Sequence, residues 1–319
     1  MTRILAIGGA HIDRTGRLHA RHITGASNPG AWQEAAGGGV FNAARNLARL
    51  GHAVTLVSLR GGDAAGEQVA AAAEDAGIID CPITFLDRAT ASYTAILEPD
   101  GNLVTALADM AIYDLLSPRR IQSARFQAQL DAAELLLFDC NLRSETLLAL
   151  SEQARARNLI CAAIAISPVK VMRLRPLLDR LDWLFMNAAE ANALARPGGE
   201  SGEADRPTAA DDELAALCGL GLKGGTISRG PQPLSAFNGQ QMINAKPPPL
   251  PDLADVTGAG DALAAGFIDA YLTGAPLSEC TRRGMALARL TLGVRGPVVA
   301  DLTRQRLDEA VEATPQPDM

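Results

Sequence analysis

The sequence predicts an α/β protein in which helices cover a mostly parallel β-sheet and a few further strands stand apart as a small flap. Three observations lead there. Short apolar runs bounded by Gly or Asp recur along the 319 residues. Amphipathic helical stretches separate those runs, the alternation expected of parallel strands joined by crossover helices. Two segments, about residues 11–35 and 82–107, break the alternation.

The runs expected to form strands are Ile4 to Ile7, Val54 to Leu59, Leu135 to Phe138, Ile160 to Ile166 and Trp183 to Met186. Helices are expected over Asn42 to Leu50, Gly66 to Ala76, Ser144 to Arg157 and Ala259 to Thr273. Ligand sites in such sheets lie beyond the carboxyl ends of the strands. The 82–107 segment reads as two extended runs joined at Glu98-Pro99-Asp100-Gly101, and a Pro-Asp-Gly turn between such runs predicts a hairpin. Strands without a crossover helix do not easily join a parallel sheet. The two segments are therefore expected to form a lid over a pocket, on one main domain spanning residues 1–319.

With 48% hydrophobic and 20% charged residues, the chain has the balance of a globular protein with ample core material, and disorder is not the default. The net charge of -7, from 29 basic and 36 acidic residues, argues against nucleic acid as a partner and leaves room for a local pocket holding one nucleotide. Cys81, Cys140, Cys161, Cys218 and Cys280 include no Cys-x-x-Cys pair, and the odd count fits reduced thiols in a cytoplasm. The opening run Met1 to Gly8 ends in glycines and is too short for a signal segment. No stretch approaches the roughly 20 apolar residues of a membrane span. A soluble protein without a membrane partner is expected.

Residues 196–208, rich in Gly, Pro and charge, are expected to form an exposed, mobile loop. Lys246-Pro247-Pro248-Pro249-Leu250-Pro251 reads as a stiff extended connector, with a ligand for a proline-binding groove as the other reading the pattern allows.

The most informative stretch is Asp255-Val256-Thr257-Gly258-Ala259-Gly260-Asp261-Ala262-Leu263, where small residues run into a strongly helical apolar segment. Unpaired N–H groups at such a helix start form a site for phosphate oxygens and for charge developing during transfer. Thr257 is placed to cap the helix. Asp261, in its first turn, is placed to accept a hydroxyl proton. On the Gly-x-Gly core alone, the plainer reading is a tight turn with Asp261 complementing the helix dipole.

The nine residues together resemble the Asp-Thr-x-Gly-Ala-Gly-Asp signature of the ribokinase-like carbohydrate kinases, the PfkB family. The resemblance implies a three-layer α/β/α fold with a β-strand lid, and an ATP-dependent kinase acting on a hydroxyl of a small-molecule sugar or nucleoside. It makes Asp261 the catalytic base and the turn of Gly258, Ala259 and Gly260 the anion hole. A Walker loop is excluded because no Gly-Lys-Ser/Thr follows, and a dinucleotide fingerprint belongs after the first strand.

Gly37-Gly38-Gly39-Val40-Phe41-Asn42-Ala43-Ala44-Arg45-Asn46-Leu47-Ala48-Arg49-Leu50-Gly51 resembles the family's amino-terminal signature. Glycines let a ligand approach the backbone, and the Asn42 amide offers both a donor and an acceptor to a hydroxyl. By itself Asn42 reads as a helix cap. Asp13, in Gly9-Ala10-His11-Ile12-Asp13, matches the family's sugar-holding Asp, since a carboxylate accepts from two neighbouring hydroxyls; alone it reads as a turn residue, and His11 as structural. Asn187-Ala188-Ala189-Glu190 matches the family's metal and phosphate motif, which implies Mg2+ near Glu190 and Asn187, although Asn-x-x-Glu alone is more often a helix cap.

The resemblance also implies nucleotide contacts at Asn187, Ser228, Gly230, Thr257, Gly258 and Gly260, substrate contacts at Asp13, Gly38, Asn42, Thr94 and Asn141, and a role for a monovalent cation such as K+. Several stretches are similar to pseudouridine kinases in particular: Ser27-Asn28-Pro29-Gly30, the flap segment from Ala91 to Gly101 with Ala106 to Asp114, and Asp139-Cys140-Asn141-Leu142. The product implied is pseudouridine 5′-phosphate; the alternatives are a ribokinase-like kinase of another sugar or nucleoside, and a nucleoside-binding protein that has lost catalysis. The lid's exposed strands would suit pairing across a two-fold axis in a homodimer.

Three departures from the family pattern stand out. Phe41 replaces an Arg that such kinases often carry before the Asn. Arg60-Gly61-Gly62-Asp63 replaces Val-Gly-Asp-Asp, leaving Asp63 alone to hold that turn. Ser228-Arg229-Gly230-Pro231-Gln232-Pro233 stands where a Thr-Leu-Gly-x-x-Gly turn receives the nucleotide, and Pro233 both fixes φ and lacks an N–H where a glycine is usual.

Overall fold

The strand Leu135–Asp139 is buried along its whole length, as an unbroken apolar run must be when helices cover both faces of its sheet. Its alternate residues point to opposite sides. Leu136 and Phe138 join Leu5 and Ile7 in one half of the core, packed against helices Ala124–Ala132 and Ser144–Arg157. Leu135 and Leu137 join Ile4 and Ala6 in the other half, packed against helices Gly39–Arg49, Ala259–Tyr271 and Leu277–Leu292. The result is three layers. The computed structural model describes residues 1–196, 210–250, 252–314 and 316.

The main sheet has nine strands in the order Met242–Ala245, Gln232–Phe237, Gly225–Arg229, Trp183–Asn187, Ile160–Ile164, Leu135–Asp139, Arg3–Ile7, Ala53–Val57 and Ile79–Asp80. From Gly225–Arg229 onward every pairing is parallel, and the first two strands add an antiparallel edge. Helix Ser144–Arg157 covers the residues expected of it, while helix Gly39–Arg49 starts three residues before Asn42 because glycine at 38 and 39 leaves the backbone free to turn in early.

The flap is a separate four-stranded sheet in the order Gly30–Gly37, His11–Leu18, Ser92–Leu97 and Leu103–Asp109. The expected hairpin is present: Glu98 N donates to Asn102 O at 2.8 Å, and Gly101 takes the left-handed φ of 94°. The start of the 82–107 segment does not belong to the flap. Ile83–Phe85 pairs instead with Leu59–Gly61 in a two-stranded sheet, which also removes Leu59 from the expected Val54 to Leu59 run. The flap is rooted in the core through Ile12 and Ala36, while Trp32 and Leu107 farther along it are 58% and 69% exposed.

Of the expected loop at 196–208, residues 197–208 lie outside the described residues. Residues 246–250 form no regular structure, in keeping with a connector, and Pro251 is not described. None of the five cysteines is bonded to another. Among the described residues no helix is long and apolar enough to cross a membrane.

Helix Ala259–Tyr271, which carries Asp261, is anchored at its far end by a buried carboxylate. Asp269 lies 2.9 Å from His52 Nε2 and accepts from Arg283 Nε at 2.5 Å and Arg304 Nη2 at 2.9 Å. Burial pushes this carboxyl up, but His52, Arg283 and Arg304 outweigh it and hold it at about 2. Removing the carboxylate takes the shared acceptor from buried His52, from the mostly covered Arg283 and from Arg304. Asp269→Ala is expected to lower unfolding free energy by about 3–5 kcal/mol in a urea titration. Because the folded-state value is depressed, the contribution in the native protein is complete above about pH 4 and is lost as pH falls toward 2.

Candidate active site

The carboxyl ends of three adjacent strands meet at Asp139, which is fully buried. Its Oδ2 accepts from the backbone N–H groups of Gly9 at 3.0 Å and Val40 at 3.2 Å, and its Oδ1 from Asn141 N at 2.9 Å. One side chain thus fixes the loop after the first strand, the start of helix Gly39–Arg49 and its own following turn. Sequence reading treated Asp139 only as part of a matching stretch; a lone acid closing a wholly apolar strand was the available signal.

Each of Gly37, Gly38 and Gly39 touches a different part of the site. A Cβ on Gly37 would overlap the Asp13 carboxylate, one on Gly38 the carbonyl of Gly9, and one on Gly39 the Ile166 side chain, with Asp261 Oδ1 3.4 Å away. Gly38 also takes a φ of 120°, which a side chain would strain. Asn42, on the first turn of the helix that follows, donates from Nδ2 to Asp261 Oδ2 at 2.8 Å. Its Oδ1 accepts from Arg45 Nη2 at 2.6 Å. Asn42 thus already spends one N–H on Asp261 and one lone pair of Oδ1 on Arg45, leaving one N–H and one lone pair. No side-chain cap is made at this helix start.

Gly258 begins helix Ala259–Tyr271 in a left-handed conformation, φ 78°, packed so closely on Pro297 that no side chain fits. Around Gly260 there is open space. Among the described residues the N–H groups of Gly258, Gly260 and Asp261 find no acceptor, and that of Ala259 makes only a long 3.5 Å bond to Val256 O. Thr257 does not cap the helix. Its N–H and hydroxyl both donate to Asp255 Oδ1, at 3.0 and 2.9 Å, while Gly296 N bonds Asp255 Oδ2. Burial raises the Asp255 carboxyl, yet these donors bring it below the usual carboxylate range and lock the approach to the glycine turn.

Burial pushes Asp261 up to about 7, the nearby carboxylates of Asp139, Asp13 and Glu190 add to the rise, and the Asn42 amide opposes it. A cavity of ≈ 250 Å³ joins Asp261, Gly258 and Gly260 to Asn187, Glu190 and Ser228. Asn187 and Glu190 form a reciprocal cap: Glu190 Oε2 accepts from Asn187 N at 2.7 Å and Asn187 Oδ1 from Glu190 N at 3.0 Å. Burial raises the Glu190 carboxyl, against the pull of the Asn187 N–H. Its other oxygen carries no protein hydrogen bond among the described residues, so cap and ligand are compatible roles. Among those residues no group of three or more His, Cys, Asp or Glu side chains is arranged to hold a metal ion by itself. A Mg2+ ion beside Glu190 fits if phosphate oxygens and water complete its shell.

Ser228 sits at a β-bulge between Ile227 and Arg229, and Gly230, φ 59°, opens the tight turn to Gln232. Gly230 does not line the cavity. Pro233 lies in strand Gln232–Phe237 within that bulge, where no ladder partner is required of it, so its missing N–H costs no pairing. Asp63 does hold its turn, accepting from Gly66 N and from the N–H and hydroxyl of Thr90.

Asp13 stands at the root of the flap with His11 Nε2 3.3 Å from its Oδ1. Behind it, Tyr113 Oη accepts from Ala10 N at 2.9 Å and lies 3.4 Å from His11 Nδ1. His11 therefore stands between the buried phenol and the Asp13 carboxylate and braces the latter. Thr94 is not brought to it: Asp13 pairs with Tyr93 and Arg14 with Thr94, which puts Thr94 on the opposite face of the flap. Asn141 Oδ1 accepts from Lys170 Nζ at 2.7 Å, while its buried Nδ2 has no partner. Lys170 and Arg45 carry no recognisable motif of their own. The one local cue was spacing, since Asn42 and Arg45 stand one helical turn apart.

Residues 1–303 match the model of the pfkB family carbohydrate kinases, and the chain belongs to that family. It is a ribokinase-like sugar or nucleoside kinase. The pseudouridine kinase of Escherichia coli (strain K12) is 27% identical over 312 residues, covering 97% of this chain and 96% of that one. Among solved structures, a carbohydrate kinase from Agrobacterium tumefaciens superposes with a TM-score of 0.87 at 46% identity, covering 100% and 99% of the two chains. Arabidopsis thaliana ribokinase, solved with ribose and ATP, shares the fold with a TM-score of 0.84 at 22% identity, covering 98% and 99%.

Asp139→Asn leaves a single acceptor oxygen among three N–H donors and turns an amide NH2 toward one of them. It is expected to lower stability by about 2–4 kcal/mol in chemical denaturation and to weaken acceptor binding.

Proposed function

We propose that the protein transfers the γ-phosphoryl group of ATP to the 5′-hydroxyl of a nucleoside, with pseudouridine as the acceptor. The observation that carries the chemistry is the pairing of Asp261 with open N–H groups at one helix start. Its Oδ2 is held by Asn42, and its Oδ1 is left toward Gly39 and the glycine turn. The choice of pseudouridine is supported by the flap and Asp139-Cys140-Asn141 stretches and by the likeness to the E. coli kinase over nearly the whole length of both chains.

In this reading Asp13, braced by His11, accepts hydrogen bonds from two ribose hydroxyls and sets the sugar against Gly38. The 5′-oxygen attacks the γ-phosphorus as its proton passes to Asp261 Oδ1. The bond from that phosphorus to the β–γ bridging oxygen breaks, and its electron pair leaves with ADP. The N–H groups of Gly258, Ala259 and Gly260, joined by that of Asp261, face the charge that gathers on the transferring oxygens. Asn187, Glu190 and Ser228 border the space for the phosphates; Mg2+, when bound beside Glu190, supplies charge neutralisation. The flap keeps water from the acceptor's place.

A second reading is favoured by Phe41. Its side chain is fully buried and stacks with Arg45, so this position gives no donor to a base, and another nucleoside or a free sugar is the alternative acceptor. ADP release with MgATP against pseudouridine, uridine, adenosine, ribose and fructose 6-phosphate separates the two. Turnover is expected to favour pseudouridine, and preference for another acceptor replaces the substrate while leaving the role of Asp261.

Asp261→Asn is expected to bind ATP nearly as the native protein does and to lower kcat by about 10²- to 10⁴-fold. Near-normal turnover in this variant removes Asp261 as the base. In the native enzyme kcat is expected to rise with pH through about 7, since the base is active only after losing its proton.

A further inference from the structure

Arg45 is buried, 8% exposed, on the helix that begins at the glycine signature. Its Nη2 donates to Ala36 O at 2.7 Å and to Asn42 Oδ1 at 2.6 Å, and its guanidinium carbon lies 4.6 Å from the centre of the Phe41 ring. Its Nε has no hydrogen-bond partner, and among the described residues no carboxylate pairs with it directly. Burial and Arg49 pull the guanidinium down to about 10, which leaves it charged at neutral pH. A buried cation without an ion pair is costly to keep for packing alone.

The charge is relayed through Asn42. A guanidinium only donates and a carboxylate only accepts, so an amide between them has one satisfactory orientation. Oδ1 must face Arg45 and Nδ2 must face Asp261; the flipped amide would set oxygen against carboxylate and NH2 against guanidinium. In that orientation the amide gives Asp261 a donor and accepts from Arg45.

We propose that Arg45 is a positioning residue for the transfer step: through Asn42 it fixes the donor that holds Asp261 and places positive charge behind that carboxylate. The inference rests on Asp261 being the base. Other charged groups face this pair from every side. Asp13 comes from the flap, Asp139 from the central strand, Glu190 from helix Ala188–Ala195, Asp75 from helix Ala64–Asp75 and Arg49 from the helix of Arg45 itself. None of these makes the contact with Asn42.

The test uses the full chain with MgATP and pseudouridine, or whichever acceptor of the panel is turned over. The Asp261 carboxyl is titrated by its 13Cγ resonance in the ligand-free protein, assigned by its loss in Asp261→Asn. Arg45→Met is expected to move the titration midpoint and the acidic limb of kcat up by about one pH unit, and to lower kcat at pH 7 by about tenfold, with KM for ATP little changed. Arg45→Lys is expected to recover most of the loss. In an Asn42→Ala background Arg45→Met is expected to cost less than about threefold, because residues acting through one relay are not additive.

Arg45→Gln keeps a donor and most of the bulk, so it reads the charge if Arg45→Met does not fold. An unmoved carboxyl midpoint in either folded variant, with kcat within about threefold of native at pH 7, overturns the proposal. If the native acidic limb vanishes in Asp261→Asn while Arg45 variants leave it in place, only this inference fails. If Asp261→Asn turns over normally, the base assignment and this inference fall together.

Discussion

The buried carboxylate of Asp139 is held at the carboxyl end of the central strand by three backbone N–H groups drawn from three segments of chain. Those segments carry nearly everything on the acceptor side of the site. The Gly9 turn backs onto Gly38, the Val40 turn sets the first residues of the helix bearing Asn42 and Arg45, and Asn141 reaches Lys170. A buried anion so satisfied gains from a low local dielectric, and losing it would leave three donors without acceptors. The geometry of this half of the site is therefore a property of the core.

The donor side depends on a different device. There the backbone itself lines the cavity, because Gly258 turns the chain into a helix with its first N–H groups uncommitted among the described residues and Gly260 keeps the approach clear. Asp261 belongs to both halves: its backbone is part of the helix start, and its carboxylate is tied across the gap to Asn42. Three further carboxylates, Asp13, Asp139 and Glu190, lie near enough to Asp261 to act on its charge. Burial, with the repulsion of the neighbouring carboxylates added and the Asn42 amide opposing, raises the Asp261 carboxyl to about 7.

Much of the fold was legible in periodicity. The unbroken apolar runs and the helices between them place the parallel sheet, and the Pro-Asp-Gly turn places the flap hairpin. Ile83–Phe85 was assigned to the flap because a three-residue apolar run has the same appearance in either sheet, and only tertiary pairing with Leu59–Gly61 decides between them. At the site, Asp261, Asn42 and Asp13 stood in recognisable stretches. What those stretches could not convey was which atoms are already spent: Asn42 Oδ1 on Arg45, Thr257 on Asp255, and Thr94 on the far side of a pleat. The strand face follows from pairing with a segment far away in sequence, whereas the Asn42 and Thr257 bonds are local and depend on side-chain rotamers that spacing alone does not give.

The three consecutive glycines at 37, 38 and 39 differ from one another in what they exclude. The first makes room for the Asp13 carboxylate, the second for the Gly9 carbonyl and the third for a side chain beside Asp261. Nothing about them is interchangeable, although they look identical in sequence. This segment is closed to gradual change: an added methyl group meets the Asp13 carboxylate, the Gly9 carbonyl or the Ile166 side chain beside Asp261. The exposed positions along the flap, such as Trp32 and Leu107, carry no such constraint.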